Sequence, residues 1–116
     1  MKVKGIVIKG KNKSKKLGFP TANIEMEENL ESGVYSGMIM IGQKEYKCAI
    51  FKSPKVNLLE AHILYFSGYL YGQEIEVEIL EKIREVEKFS SDDELKRQIE
   101  KDIDTIKHSD SHVRHS

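Results

Sequence analysis

The sequence predicts a mainly β protein with one C-terminal α-helix. Short runs of alternating apolar and polar residues follow one another, separated by Gly, Asn, Ser or Pro, as is typical of strands joined by turns. A helical pattern comes only after the last of these runs. Because no helices separate the strands, the order favours a barrel or a sandwich.

Strand-like alternation is clearest in five runs, at Val3–Ile8, Val34–Ile41, Tyr46–Phe51, Ala61–Phe66 and Ile75–Ile79. Gly42 and Gln43 stand between the second and third runs at hairpin spacing, which predicts an antiparallel pair there. In the last run the acidic residues alternate with Ile75, Val77 and Ile79, so one face is expected in water and the other in the core.

The single helix is expected to begin near Ser91. Ser91 and Glu94 have the spacing of a capping box, and Asp92 and Asp93 suit the positive end of the helix dipole. One apolar stripe at helical spacing follows, formed by Leu95, Ile99, Ile103 and Ile106. This stripe is expected to cover an open side of the barrel. We therefore expect one domain over residues 1–107 and a disordered tail over 108–116.

Composition limits the classes of function. A chain of 116 residues with 39% apolar content is one small domain, so a second catalytic domain is not expected. Lys plus Arg equals Asp plus Glu, at 19 each, so no net charge recruits nucleic acid or a membrane. The lone Cys48 excludes an intramolecular disulfide and indicates a small core residue. The absence of a signal-like or membrane-spanning apolar run predicts a cytoplasmic protein, and we expect a monomer.

The motif LGFPTANI at residues 17–24 is the most informative segment. Gly18 allows close backbone approach, Pro20 fixes one φ angle, and Thr21 and Asn23 present oxygen atoms from an extended segment. Such oxygens can hold a hard cation together with phosphates. The alternative is a turn and a strand in which Thr21 and Asn23 bond to their own backbone.

A lysine-rich segment directly precedes this motif. Residues 9–16 contain five lysines, and they form either a solvated loop or a mobile cationic flap beside a phosphate site. Their position next to the motif favours the flap.

The order and spacing of several blocks resemble the riboflavin kinase (flavokinase) family, also the C-terminal module of bifunctional FAD synthetases. The blocks are LGFPTANI, GVYSG at 33–37, EAHILYF at 60–66, LYGQEIEVEILEKIRE at 70–85 and KFSSDDELKRQIEKDI at 88–103, so the resemblance covers roughly residues 3–106. It implies a six-stranded, Greek-key-like antiparallel β-barrel with a C-terminal α-helix. It also implies transfer of the ATP γ-phosphoryl group to the 5′-hydroxyl of riboflavin, giving FMN and ADP, with Mg²⁺ or another divalent ion.

The resemblance also implies roles for particular residues. Glu60 is the expected catalytic base, and Thr21 and Asn23 are the expected metal ligands. The nucleotide site is expected to include Lys15, Gly18, Pro20, Thr21 and Asn23. Arg84 and Phe89 are expected at the flavin, where Tyr69 and Tyr71 are further aromatic candidates or else core residues. His62 is expected to pack or support and not to act as a base.

Three positions depart from the family pattern. The segment 50–57 lacks the expected Asn, Gly and Thr, and Lys52 stands in place of the glycine. Ser14 replaces a glycine in the flap, and Val86 replaces a glutamate. These departures motivate an alternative function, an inactive paralogue that binds flavin or nucleotide. A third hypothesis, a nucleic-acid-binding barrel, is disfavoured by the zero net charge.

Overall fold

The computed structural model describes residues 1–9 and 13–108 and consists of six strands and two helices. In chain order these are β1 (Lys2–Ile8), α1 (Lys13–Lys16), β2 (Ala22–Glu25), β3 (Gly33–Ile41), β4 (Lys44–Lys52), β5 (Leu58–Ile63), β6 (Glu74–Arg84) and α2 (Asp92–Lys107). Residues 10–12 of the predicted flap, the side chains of Lys13 and Ser14, and residues 109–116 of the predicted tail lie outside this description.

The strands form a closed antiparallel barrel in the spatial order β1-β2-β5-β4-β3-β6. Strands β3, β4 and β5 follow one another as neighbours, and β6 returns to lie beside β3, which is the Greek-key arrangement. The predicted fold class is therefore confirmed, and the hairpin at Gly42 joins β3 to β4 in the expected antiparallel register.

Strand β5 differs most from its prediction, since it begins at Leu58 and ends at Ile63 and not at Phe66. Leu64 packs against α2, whereas Phe66 packs against the barrel core, and Tyr65 between them adopts a positive φ of 62°. Leu64 still lies on the outer face that Glu60 and His62 share, because it packs against α2 there, whereas Phe66 leaves that face and packs against the barrel core. Glu60 lies in the middle of the strand and not at its start.

The barrel interior is apolar. Its most buried side chains alternate along the strands and are at most 2% exposed; among them are Val3, Val7, Ile24, Ile39, Cys48, Ile50, Leu59 and Val77. Burial raises the pKa of the Cys48 thiol to about 12, so Cys48 is the inert core residue that the sequence indicated.

Helix α2 begins where the capping pattern predicted. The Ser91 hydroxyl accepts a hydrogen bond from the Glu94 backbone N–H at 3.2 Å. The Glu94 carboxylate accepts bonds from the hydroxyl and backbone N–H of Ser90, at 2.8 and 3.1 Å, and these bonds lower its pKa. In a capping box a single residue accepts from the glutamate N–H and donates to the glutamate carboxylate. Here Ser91 accepts and Ser90 donates, so two serines share these roles.

Helix α2 packs on the outside of the barrel. Ile103 and Ile106 form a second small core with Leu64 of the β5–β6 connection. Lys47 of β4 donates to the last carbonyls of the helix, at 3.3 Å from Ile106 O and 3.0 Å from Lys107 O. The expectation that α2 covers an open side is wrong, because β1 and β6 already close the barrel. Within residues 1–9 and 13–108, neither helix is long and apolar enough to cross a bilayer.

Candidate active site

Three clefts lie on the described part of the chain, and Thr21 lines two of them. The first, here called the helix cleft, has a volume of about 480 Å³ and lies between the barrel wall and α2 as far as Asp102. The second, here called the loop cleft, has a volume of about 310 Å³ and lies between α1, the Pro20 turn and the connection 66–71. Thr21 and His62 line both of these clefts, so the two adjoin at these side chains. The third, of about 440 Å³, is lined by Gly18 and His62 but not by Thr21 or Glu60.

Glu60 lines the helix cleft close to this junction. It is half-buried on the outer face of β5, and its carboxylate accepts a hydrogen bond from the Thr21 hydroxyl. Burial raises the pKa of Glu60, and the Thr21 bond offsets part of that rise. The carboxylate therefore has a higher proton affinity than a solvated glutamate, as a general base requires.

Thr21 and Asn23 lie beside Glu60. Thr21 immediately precedes β2, and Asn23 within β2 is directly opposite Glu60 in the antiparallel register. Residues opposite each other in such a pair present their side chains on the same face. Asn23 is only 4% exposed and lines neither cleft, so it lies beneath the surface that Thr21 and Glu60 form.

These oxygens fit a magnesium ion held largely by phosphates. Mg²⁺ typically takes few protein ligands and completes its coordination with waters and substrate oxygens. The Thr21 hydroxyl and the nearby Glu60 carboxylate are compatible with that mode, whereas the amide of Asn23 lines neither cleft. In the described part of the chain no three His, Cys, Asp or Glu side chains cluster to form an all-protein metal cage.

The turn before β2 is built around Gly18. Gly18 has φ of 98°, which an L-residue rarely adopts, and its N–H bonds to Lys15 O at 3.0 Å. Apart from Gly18 and its two chain neighbours, no atom lies within 4 Å of the position that a Cβ would take there, so the glycine serves the turn conformation and not a close contact. The carbonyl oxygen of exposed Pro20 lies 2.7 Å from His62 Nδ1. Lys15 and Pro20 line the loop cleft.

Arg84 and Phe89 line the helix cleft together with Glu60. Arg84 is the last residue of β6, and its Cζ lies 5.8 Å from the centroid of the Phe89 ring. Its guanidinium group pairs with Asp102 of α2, with Nη2 at 2.8 Å from Oδ2. The structure therefore brings the two predicted flavin residues into one cleft with the predicted base.

Tyr69 and Tyr71 lie elsewhere, in the loop cleft, with their ring centroids 6.0 Å apart. They are 80% and 44% exposed, so neither is a core residue. They also do not line the cleft that contains Phe89. The suggestion that all three aromatic residues surround one ring is therefore wrong.

Two of the departures from the family pattern have clear positions. Lys52 is buried at the end of β4 and donates to Ser53 O at 2.6 Å, and residues 53–57 line neither cleft. Beside Val86, the Glu87 carboxylate lines the helix cleft at 3.9 Å from Arg84 Nη1. Residues 53–57 of the altered segment thus lie away from both clefts, whereas Ile50 and Phe51 of the same segment line the helix cleft, and Phe51 pairs directly with Glu60.

Asp102 is the site residue that sequence reasoning missed. It stands three residues after Ile99 and four before Ile106, within the apolar stripe of α2. A carboxylate on the packed face of an amphipathic helix is rarely buried without a partner. Its position in the stripe was the signal that could have indicated a buried ion pair.

The fold and these clefts define a class of protein, a closed β-barrel domain with two adjoining ligand-sized clefts, one of which contains a half-buried carboxylate. The family profile described as "Flavokinase: Riboflavin kinase" matches residues 1–109. The chain belongs to the riboflavin kinase (flavokinase) family, as the sequence resemblance predicted.

Curated relatives agree with this assignment. The chain is 41% identical over 112 residues to the bifunctional riboflavin kinase/FMN adenylyltransferase of Haemophilus influenzae, covering 89% of this chain and 36% of that protein. It is 38% identical over 113 residues to the RNA-binding riboflavin kinase RibR of Bacillus subtilis, covering 90% and 49%. The chain thus spans between about a third and a half of the length of these relatives.

Solved structures share the fold. A crystal structure described as a macrolide-efflux protein from Streptococcus pneumoniae has a TM-score of 0.85 and 26% identity, covering 93% of this chain and 38% of that one. The crystal structure of riboflavin kinase from Trypanosoma brucei has a TM-score of 0.61 and 22% identity, covering 95% and 82%, and at that identity it supports the fold alone.

Proposed function

We propose that the chain is a riboflavin kinase, which transfers the γ-phosphoryl group of ATP to the 5′-hydroxyl of riboflavin. The observation that supports this most directly is the position of Glu60, a half-buried carboxylate bonded to Thr21 where two clefts adjoin. Phosphoryl transfer requires two substrates to meet beside a proton acceptor. The family supplies the identity of the substrates.

Riboflavin occupies the helix cleft in this proposal. A volume of about 480 Å³ is within the usual range for small-molecule sites. Phe51, Leu95 and Ile99 provide apolar walls, while Arg84 and Phe89 provide a cation and a ring. Such a mixture suits a flat, largely apolar ring system with polar edges.

The nucleotide occupies the loop cleft. Lys15 provides positive charge for the phosphates, and Gly18 and Pro20 shape the turn that leads to Thr21. Thr21 lines both clefts, so a phosphate held there is next to the helix cleft. Residues 13–16 of the lysine-rich segment form α1 beside this cleft, which agrees with a cover over the phosphates.

Glu60 acts as the general base. It accepts the proton of the riboflavin 5′-hydroxyl as that oxygen forms a bond to the γ-phosphorus, while the bond from phosphorus to the bridging oxygen breaks and ADP leaves. Thr21 donates to the carboxylate and orients it. Thr21 would hold the metal ion with the nucleotide, Asn23 stays a predicted second ligand, and a bound Mg²⁺ would neutralise phosphate charge.

The inactive-paralogue alternative is not favoured by this geometry. Its motive was the altered segment 50–57. Residues 53–57 line neither cleft, and Ile50 and Phe51 of this segment line the helix cleft as apolar wall residues. Glu60 keeps its hydrogen bond to Thr21, and its pKa is raised. The monomeric state, the cytoplasmic location and the absence of a nucleic-acid partner stay predictions, the last because one relative is described as RNA-binding.

Incubation of the chain with ATP, Mg²⁺ and riboflavin tests the proposal. We expect FMN and ADP in equal amounts by chromatography, and quenching of riboflavin fluorescence on binding. Quenching without FMN would select the inactive paralogue. Retention of single-stranded RNA on a filter that falls steeply with salt would contradict the prediction on nucleic acid.

A further inference from the structure

We infer that Asp102 on α2 is a positioning residue that fixes the orientation of Arg84 in the helix cleft, and that α2 is therefore part of the flavin site. This inference rests on the proposed function, because riboflavin is the ligand that Arg84 is taken to contact. It assigns a role to the helix beyond packing.

Asp102 contacts Arg84 in the geometry that fixes a guanidinium plane. Arg84 Nε lies 2.9 Å from Oδ1 and 3.2 Å from Oδ2 of Asp102, and Nη2 lies 2.8 Å from Oδ2. Two parallel N–H donors on one carboxylate define both distance and plane. A lysine or a solvated arginine would have no such fixed plane.

The third nitrogen of the Arg84 guanidinium group, Nη1, bonds to the backbone and not to Asp102. Nη1 donates to Glu85 O at 2.9 Å, so the guanidinium group is restrained by the helix and by its own connection. In this orientation Cζ stays 5.8 Å from the Phe89 ring centroid. Both side chains line the helix cleft with Glu60.

Asp102 is itself fixed in place. It is 5% exposed, and its Oδ1 accepts a bond from Gln98 Nε2 at 3.0 Å, one helical turn earlier. The next residue, Ile103, and Ile106 anchor this part of α2 in the second core. The position of the carboxylate therefore follows from the packing of the helix against the barrel.

A stabilising role alone does not account for this arrangement. Buried ion pairs contribute little net stability, because desolvation of the charges offsets their attraction. Asp102 and Arg84 also face a ligand-sized cleft and not a closed interior. A fixed cation at the edge of that cleft is what binding of a polar ring edge requires.

The variant Asp102→Asn tests the inference through riboflavin affinity, measured by fluorescence quenching. The amide keeps the shape but cannot accept two charge-assisted bonds, so Arg84 loses its fixed plane. We expect the Kd for riboflavin to rise about tenfold or more, the size of a lost charge-assisted contact. The Kd for Mg-ADP should stay within about twofold of wild type, whereas general loosening of the fold would weaken both ligands.

Asp104→Asn is the matched control. It removes the same charge two residues away on α2, where the exposed Asp104 carboxylate lies 3.4 Å from His108 Nδ1 at the end of the helix. We expect unchanged affinity for riboflavin and for Mg-ADP. A control effect as large as that of Asp102→Asn would overturn the inference, since a general charge effect would explain both.

A double-mutant cycle shows whether Asp102 acts through Arg84. Arg84→Gln should raise the Kd for riboflavin, and adding Asp102→Asn to it should raise the Kd no further. If the increase in Kd of the double variant equals the product of the two single increases, the inference is overturned. A wild-type Kd for riboflavin in folded Asp102→Asn would also overturn it. If Asp102→Asn does not fold, Asp102→Glu keeps the charge but displaces the guanidinium group; weaker riboflavin binding supports the inference and wild-type binding overturns it.

Failure of the proposed function gives a different result. A wild-type chain that does not quench riboflavin fluorescence would contradict both statements at once. Wild-type binding with unaffected variants would contradict only the role of Asp102.

Discussion

The chemistry of the proposed reaction depends on the environment of one carboxylate. Glu60 is half-buried and bonded to Thr21, and burial is the larger of the two influences on its pKa. The same burial that raises its proton affinity also destabilises its charged form in the folded protein. Glu60 is therefore expected to favour activity at some cost in stability.

Glu60→Gln should remove most turnover while leaving nucleotide binding intact. The amide keeps the shape and can still bond to Thr21, but it cannot accept a proton. A general base contributes about 10²–10⁴-fold to a rate, so kcat should fall by that factor. Rates of FMN formation and the Kd for Mg-ADP measure the two effects. Glu45→Gln, at an exposed position of β4, is the control, and unchanged turnover in Glu60→Gln would contradict the assignment.

Turnover and stability should depend on pH in opposite ways through Glu60. Turnover falls as pH falls through the raised pKa, because the base becomes protonated. In the window between the unfolded and folded pKa the folded state binds more protons, so the contribution of Glu60 to stability falls as pH rises. The Tm of Glu60→Gln relative to wild type should therefore increase from pH 4 to pH 8. A constant difference across this range would contradict the raised pKa.

Prediction from sequence was most successful for residues in a distinctive local motif. Thr21 and Asn23 belong to FPTAN and Glu60 to a strand-like run, and the family resemblance, more than their spacing, indicated that the three lie together. Asp102 was not, because its partner Arg84 is 18 residues away and comes from a different element. No local spacing encodes that pairing; only the position of the acid on an apolar face signals it.

At the scale of elements, the boundaries of β5 illustrate what alternation cannot predict. The run Ala61–Phe66 alternates well, yet Leu64 and Phe66 pack on different cores and Tyr65 takes a positive φ between them. The strand thus ends where a second core begins. Since α2 creates that core, the end of β5 depends on an element about 30 residues later in the sequence.

The cap of α2 offers a test at this scale. Ser91→Ala removes the acceptor of the Glu94 N–H and should lower the free energy of unfolding by about 0.5–2 kcal/mol. Urea denaturation followed by circular dichroism measures this change. Thr105→Ala, at an exposed position near the other end of the helix, should be neutral or slightly stabilising. Equal losses in both variants would show that the cap is not the cause.

At the scale of the whole molecule, the barrel is closed by pairing its first strand with its last. Residues Lys2–Ile6 of β1 pair with Glu74–Glu78 of β6, and the Met1 carbonyl accepts from the Ile79 N–H at 2.7 Å. Such long-range pairing makes opening of the barrel cooperative and its formation slow compared with helical proteins. Alternating patterns predicted the strands, but the closing pair followed only from the family resemblance.

Cys48 reports on that cooperativity. It is fully buried and its pKa is raised to about 12, so a thiol reagent should label it only when the barrel opens. We expect labelling to follow the unfolded fraction in urea, and riboflavin with Mg-ADP to slow it by mass action. Mass spectrometry after timed labelling measures the rate. Rapid labelling of the native protein would show that the barrel opens locally.

The shared border of the two clefts has a consequence for inhibitor design. Among residues 1–9 and 13–108, only Thr21 and His62 line both clefts, so these two side chains stand between the clefts. A single compound with a flavin-like group, a short linker and a nucleotide-like group would pass beside these two residues and bind in both the helix cleft and the loop cleft. By the arithmetic of effective concentration, such a hybrid should outcompete either half used alone.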